Sequence, residues 1–141
     1  MDDAMVVLTA AAAERESITA AFADRQRIVV VSLCAAWCDT CTEFRAGYER
    51  IAKARPHVTF VWLDIEDDAA IAGDIDVENF PTLAIFRGRI PVHFGVSLPH
   101  ETMVGRLIDA LADAAPLADP PQEVAELPDA FAPKAKSGSA P

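Results

Sequence analysis

Cys38 and Cys41 stand three residues apart in Trp37-Cys38-Asp39-Thr40-Cys41, where the apolar run Ile28 to Leu33 gives way to a helical pattern. A cysteine at a helix start meets the positive end of the helix dipole and unpaired N–H groups, both of which favour the thiolate. The thiolate is the species that attacks a disulfide sulfur. Residues i and i+3 share one side of a helical turn, so the second sulfur can approach the first closely enough to bridge. Cys34 lies four residues upstream of Cys38. Three thiols clustered this tightly cannot staple distant loops, and they read as redox chemistry or metal binding rather than a disulfide framework.

The elements that must position these sulfurs follow from periodicity. Met5 to Leu8 reads as a short strand, and Ala10 to Arg25 as a helix with Ile18, Ala21 and Phe22 on one face. Ile28 to Cys34 carries three successive valines, which suit a strand covered on both faces, the best candidate for a central strand. From Thr40 to Arg55, Phe44, Tyr48, Ile51 and Ala52 form an apolar stripe, and Pro56 stops the helix. Val58 to Leu63 is a further buried strand, and Asp67 to Ala72 a short acidic helix. Thr82 to Phe86 and Ile90 to Phe94 make a hairpin around Arg87-Gly88-Arg89, with Pro91 placing its strand at a sheet edge. A last helix is expected from about Pro99 to Asp113, with Met103, Leu107, Ile108 and Leu111 inward and Ser97 as cap.

A chain of 141 residues with 52% hydrophobic content builds one core. Residues 1–115 read as the folded domain. Residues 116–141 are rich in Pro, Ala and acid and are expected to be a disordered, solvated tail, with Val124, Leu127 and Phe131 as isolated apolar residues able to dock. The net charge of -10 argues against nucleic acid and anionic membrane surfaces as partners. The N-terminus opens with acid, and no apolar stretch approaches the roughly 18 residues of a span, so a cytoplasmic monomer is expected.

The order of elements assembles as an α/β mixed sheet of about five strands with about four helices on its faces. On Trp37-Cys38-Asp39-Thr40-Cys41 after the central strand, Phe80-Pro81-Thr82 before the hairpin, and Gly95 after the last strand, residues 1 to 114 resemble the thioredoxin family. The resemblance implies the thioredoxin fold and thiol-disulfide exchange. Cys38 would be the nucleophile and Cys41 the more buried thiol that resolves the mixed disulfide. Pro81 would be cis and face the sulfurs, Phe80 would offer a backbone edge to an extended substrate, and Trp37, Phe80 and Gly95 would line an apolar groove. No bound cofactor is implied; the partners would be a protein disulfide as substrate and a separate reductase as electron donor. A second implied use of the fold is an assembly factor or chaperone-like module that grips a segment at Phe80-Pro81 with little turnover.

The sequence departs from the family at the residues that tune the thiols. The buried acid expected six residues before the first motif cysteine is Ser32, and the lysine that usually accompanies it is Trp62. Losing both is coherent, since a lysine without its carboxylate would be a costly buried charge. The usual Gly-Pro is Asp39-Thr40, and Asp39 sets a negative charge beside the thiols that opposes the dipole. Two other chemistries fit less well. C-x2-C is common in zinc knuckles, but His57, His93 and His100 are isolated and read as solvated surface groups. Cys34, Cys38 and Cys41 in C-x3-C-x2-C also resemble the [4Fe-4S] motif of radical enzymes that use S-adenosylmethionine, yet those enzymes need barrel architecture, and a full barrel takes about 250 residues. Cys34 itself reads as a small buried hydrophobe with an inert thiol; the sharper hypothesis is an alternative disulfide with Cys38 or Cys41, as a regulatory or trapping state.

Overall fold

The computed structural model describes residues 7–72, 75–97 and 99–132. Strand β2 (Ile28–Cys34) is buried at every position, as its β-branched run requires. It occupies the centre of a five-stranded sheet in the order β1-β3-β2-β4-β5. Strands β1 (Val7–Leu8) and β3 (Val58–Asp64) run parallel to their neighbours, whereas β4 (Thr82–Arg87) and β5 (Ile90–Val96) run antiparallel. Of the expected first strand, Met5 and Val6 lie outside the described residues. Pro91 lies on the outermost strand, where a missing N–H costs no ladder bond. The β4–β5 turn uses Gly88 at φ +59, and a Cβ there would meet the Arg25 Cα at 2.9 Å.

Alternation along β2 divides the core. Val29, Val31 and Leu33 face one side with Ile18 and Phe22 of α1 (Ala12–Ala23). Ile28 and Val30 face the other, beneath α2 (Asp39–Lys53) and α4 (Glu101–Ala110). The same alternation turns Ser32 and Cys34 toward α2. The predicted stripe of α2 is realised: Phe44, Tyr48, Ile51 and Ala52 are buried. The Tyr48 hydroxyl donates to the carbonyls of Val30 and Val61 at 3.1 and 2.9 Å, fastening α2 across β2 and β3. Burial pushes its phenol far above the usual tyrosine range, so the hydroxyl stays a donor.

Two expectations are corrected here. Helix α4 begins at Glu101 with His100 at the cap position, so Ser97 does not cap it; its amide donates instead to the Pro81 carbonyl at 2.9 Å. Val104 and Ile108 are buried, whereas Met103, expected inward, is exposed. The stripe from Val104 to Ile108 keeps the i, i+4 spacing, and Met103 lies one position to its solvent side.

The larger correction concerns the segment after residue 115. Rather than a solvated tail, it runs past the sheet edge, where the Leu117 amide donates to the Pro91 carbonyl at 2.8 Å. It then forms two short helices, α5 (Gln122–Ala125) and α6 (Leu127–Phe131). Val124, Leu127 and Phe131 are fully buried in the α1 side of the core. Phe131 packs on Phe22 with ring centroids 5.9 Å apart. Arg15 donates to the carbonyls of Ala130 and Phe131 at 2.9 and 3.2 Å, and Arg89 pairs with Asp129. The prolines break long helices but permit single turns, and three apolar side chains over eight residues suffice to cover the groove beside α1. Residues 133–141 lie outside the described residues.

Phe131→Ala is therefore expected to lower unfolding free energy by about 3–5 kcal/mol, as for a buried core phenylalanine. Urea denaturation checks this; a change near zero would mean that the segment is solvated after all.

Candidate functional site

The site is built where β2 ends. Cys34 is fully buried at the last position of β2, and the chain turns over Ala35 and Ala36 before α2 starts. That turn is pinned from the neighbouring strand. The Ala36 amide donates to Asp64 Oδ2 at 2.6 Å, the Ile65 amide donates to the Cys34 carbonyl at 2.8 Å, and Trp37 Nε1 donates to Glu66 Oε2 at 3.1 Å. The other Asp64 oxygen accepts the amides of Glu66 and Asp67, each at 2.8 Å, which fixes the carboxylate. Asp64 and Glu66 were not singled out from sequence. Their signal was Asp-x-Glu directly after a strand, a pattern suited to an Asx turn.

Cys38 occupies the cap position of α2, half-buried and with a free thiol. Its carbonyl accepts from the Thr42 amide and hydroxyl at 3.1 and 3.2 Å, so the first turn is closed around it. Asp39 is exposed at the first helical position, where a carboxylate suits the dipole, and Thr40 is half-buried after it. Cys41 points inward, 1% exposed. It is bonded not to Cys38 but to Cys34, with Cα atoms 5.9 Å apart. The plain reading of Cys34 as an inert thiol is thus corrected. Strand alternation turned its sulfur toward α2, one turn below the helix start, within bridging distance of Cys41.

Ser32 and Trp62 are register partners on adjacent strands. Ser32 is fully buried, and its Oγ lies 3.7 Å from Cys34 Sγ, a distance compatible with a weak O–H to sulfur contact. Trp62 lies against Tyr48, with ring centroids 5.5 Å apart, and beneath the Arg45 guanidinium at 4.8 Å. A hydroxyl thus stands beside the Cys34 sulfur, the register partner of Ser32 is an indole, and the Arg45 cation sits over that aromatic face.

The second wall comes from the segment before β4. The Phe80–Pro81 peptide bond is cis. The Thr82 hydroxyl donates to the Asn79 carbonyl at 2.7 Å, holding the turn. Leu33 pairs with Thr82 as the last pair of the β2–β4 ladder, which sets the start of β4, just after Pro81, beside the end of β2. The Phe80 ring meets Trp37 edge-on at 5.5 Å, which brings the two loops together over the site. Trp37 is 63% exposed, a large apolar side chain left to solvent beside a free thiol. Thr82 and Gly95 belong to an adjoining surface groove that also includes Asp76, Glu78, Asn79 and Val96.

His93, expected at the surface, is half-buried, and its Nε2 is buried without a hydrogen-bond partner. A bulge in the β4–β5 register between Ile85 and Phe86 accompanies its inward placement opposite Ile85. Burial lowers its pKa from the ordinary histidine range. Among the described residues, no group of three His, Cys, Asp or Glu side chains is arranged to hold a metal ion, and no helix is long and apolar enough to cross a membrane.

Comparison with known proteins bears on the family and the fold. The family model described as Thioredoxin matches residues 9–105. Thioredoxin H-type 2 of Nicotiana tabacum is 33% identical over 64 residues, covering 45% of this chain and 54% of that protein, so the match spans about half of the tobacco relative. Thioredoxin-like protein CXXS1 of Oryza sativa subsp. japonica is 27% identical over 99 residues, covering 70% of this chain and 73% of its own. Among solved structures, a poplar wild-type thioredoxin h superposes with TM-score 0.65 at 16% identity, covering 77% of this chain and 98% of that one. A mutant thioredoxin from Halobacterium salinarum NRC-1 gives 0.63 at 20% identity, covering 82% and 100%. These superpositions speak for the fold.

Because the folded form resists protonation of His93, the unfolded chain binds more protons as pH falls below the ordinary histidine value of about 6.5. Stability is expected to be fully present above that pH and to decline below it, until the lowered folded-state pKa is passed. Urea midpoints of wild type and His93→Gln between pH 7.5 and 5 check this: the decline should be shallower in the variant, and parallel curves would exclude His93 as its source.

Proposed function

The chain belongs to the thioredoxin family, and on that premise we propose that it exchanges thiols with protein disulfides and reduces them. The observation that carries this reading is the half-buried free thiol of Cys38 at the start of α2, beside the exposed Trp37 ring and its Phe80 contact. That thiol stands at the start of a helix within reach of solvent, and an extended polypeptide can lie along the Phe80–Pro81 turn.

The proposed reaction has two displacements. The Cys38 thiolate attacks one sulfur of the substrate disulfide and releases the other as thiolate, forming a mixed disulfide. The Cys41 thiolate then attacks Cys38 Sγ, forming a Cys38–Cys41 bond and releasing the second substrate thiolate. Each substrate sulfur gains one electron, and the two motif sulfurs together lose two. A separate reductase in the cytoplasm, acting without a cofactor bound to this chain, would return the electrons. With Ser32 in place of a carboxylic acid, no strong base stands beside the inner sulfurs, so the resolving step is expected to be slow.

A second reading is favoured by one observation. Cys41 is engaged with Cys34, and in that state it is not free to resolve a mixed disulfide. A chain held there would bind at Phe80–Pro81 as an assembly factor with little turnover.

Insulin reduction driven by dithiothreitol separates the two. Wild type should accelerate precipitation, and Cys38→Ser should fall to the uncatalysed rate; equal rates for both would point to the binding module. Cys41→Ser should accumulate covalent mixed disulfides at Cys38, seen as adducts on non-reducing gels.

A further inference from the structure

The bonded pair in this structure is not the pair that the motif spacing presents. Cys34 and Cys41 are bridged in the interior, at 0% and 1% exposure, while Cys38 keeps a thiol at the surface. We propose that Cys34 is a third redox-active cysteine: the chain passes a Cys38–Cys41 disulfide inward to Cys34–Cys41, so that its oxidised form hides the disulfide and presents a free Cys38. The proposal rests on the reading above, in which Cys38 meets the substrate.

Cys41 is the pivot of this exchange. It lies one helical turn from Cys38, on the same side of α2, and its Cα is 5.9 Å from that of Cys34 at the end of β2. Its sulfur is therefore shared between an outer and an inner partner, both set by regular secondary structure. In the exchange step the Cys34 thiolate attacks Cys41 Sγ. The S34–S41 bond forms, the S38–S41 bond breaks, and its electron pair leaves on Cys38, which takes up the proton that Cys34 gave up. No electrons enter or leave, so the step needs no oxidant beyond the disulfide that made the first bridge. Ser32 Oγ, 3.7 Å from Cys34 Sγ and fully buried, supplies a hydroxyl dipole next to the attacking sulfur.

Burial gives the exchange a direction and a consequence. A reductant in solution reaches Cys38 but not the inner bridge, so reduction must run the step backwards, with the Cys38 thiolate attacking Cys41 Sγ first. The oxidised chain thus keeps one nucleophile available for a further disulfide, whether of a protein or of a small molecule, and it has no free partner with which to resolve the product.

Peptide mapping tests this directly. The reduced protein is oxidised with oxidised glutathione, quenched with N-ethylmaleimide under native conditions, then digested with chymotrypsin, whose cleavage after Trp37 separates Cys34 from the other two cysteines. The expected product is a Cys34 peptide disulfide-linked to a Cys41 peptide, with Cys38 alkylated or glutathionylated; a Cys38–Cys41 bridge with Cys34 free overturns the proposal. In Cys34→Ala, native labelling of Cys38 in the oxidised protein should drop by about tenfold or more, because only the outer bridge can form; unchanged labelling overturns it. In Cys38→Ser, oxidised glutathione should install the inner bridge at least about tenfold more slowly, since neither remaining sulfur is accessible; an equal rate overturns the relay. These readouts need no turnover, so they stand apart from the insulin assay, whose failure in wild type would remove the reductase reading instead.

Discussion

The period-two alternation of one fully buried strand is the constraint on which the rest depends. Every β2 side chain is buried, so each must serve one of two cores, and a shift of register by one residue would exchange them. With Val29, Val31 and Leu33 committed to the α1 side, Ser32 and Cys34 are delivered beneath α2. Seven paired positions with β3 and six with β4 hold that register. The location of the third thiol is thus a consequence of sheet pairing, not of the loop that carries the other two.

The loop is ordered by different means. Asp64 is pinned by two amides of its own turn and then accepts the Ala36 amide, while Glu66 takes the Trp37 indole N–H. Carboxylates are here used as acceptors for backbone and ring donors, and Asp64, the register partner of Cys34, places negative charge on that flank of the motif. Beside the Cys34 sulfur, at 3.7 Å, stands the Ser32 hydroxyl rather than a carboxyl. An ionised acid there would have to be desolvated, and the Arg45 guanidinium that could have offset it is engaged over Trp62. The serine at position 32 thus adds no charge beside a fully buried sulfur pair, and burial favours the uncharged disulfide over two buried thiolates.

Much of this was legible in the sequence because the signals were local and periodic. The valine run of β2, the stripe of α2 and the position of Pro91 each report a single element, and each element formed close to its expected bounds. The motif and Phe80-Pro81-Thr82 were legible as residue types at a strand-to-helix junction and before a strand. What escaped depends on which element packs on which. Met103 and Val104 differ by one position, and only the docking of α4 decides which of them faces inward. His93 was read as exposed because a lone histidine on an edge strand usually is, and the register bulge beside it left no trace in residue type. The segment from 116 to 131 was read by composition as solvated, yet composition averages over the few apolar residues that matter. Val124, Leu127 and Phe131 recur at spacings of three and four, enough for one face of two short turns against α1.

The sulfur pairing was legible only as the less favoured of two readings of Cys34, for a related reason. Sequence spacing ranks Cys38 and Cys41 as partners because a helical turn brings i and i+3 together, and it ranks Cys34 as distant because a loop intervenes. Space reverses that order. The loop folds back over the strand end, since the Cys38 amide donates to the Ala35 carbonyl at 3.0 Å and Ala36 is held by Asp64. That fold-back sets the start of α2 above the last residue of β2, so a side chain pointing up from Cys34 and one pointing down from Cys41 meet in the middle. Cys38, at the cap, keeps a free, half-buried thiol. A tight turn between a buried strand and a helix therefore makes the seven-residue separation short and leaves the outer thiol free and only half-buried, an arrangement compatible with thiol exchange at a protein surface.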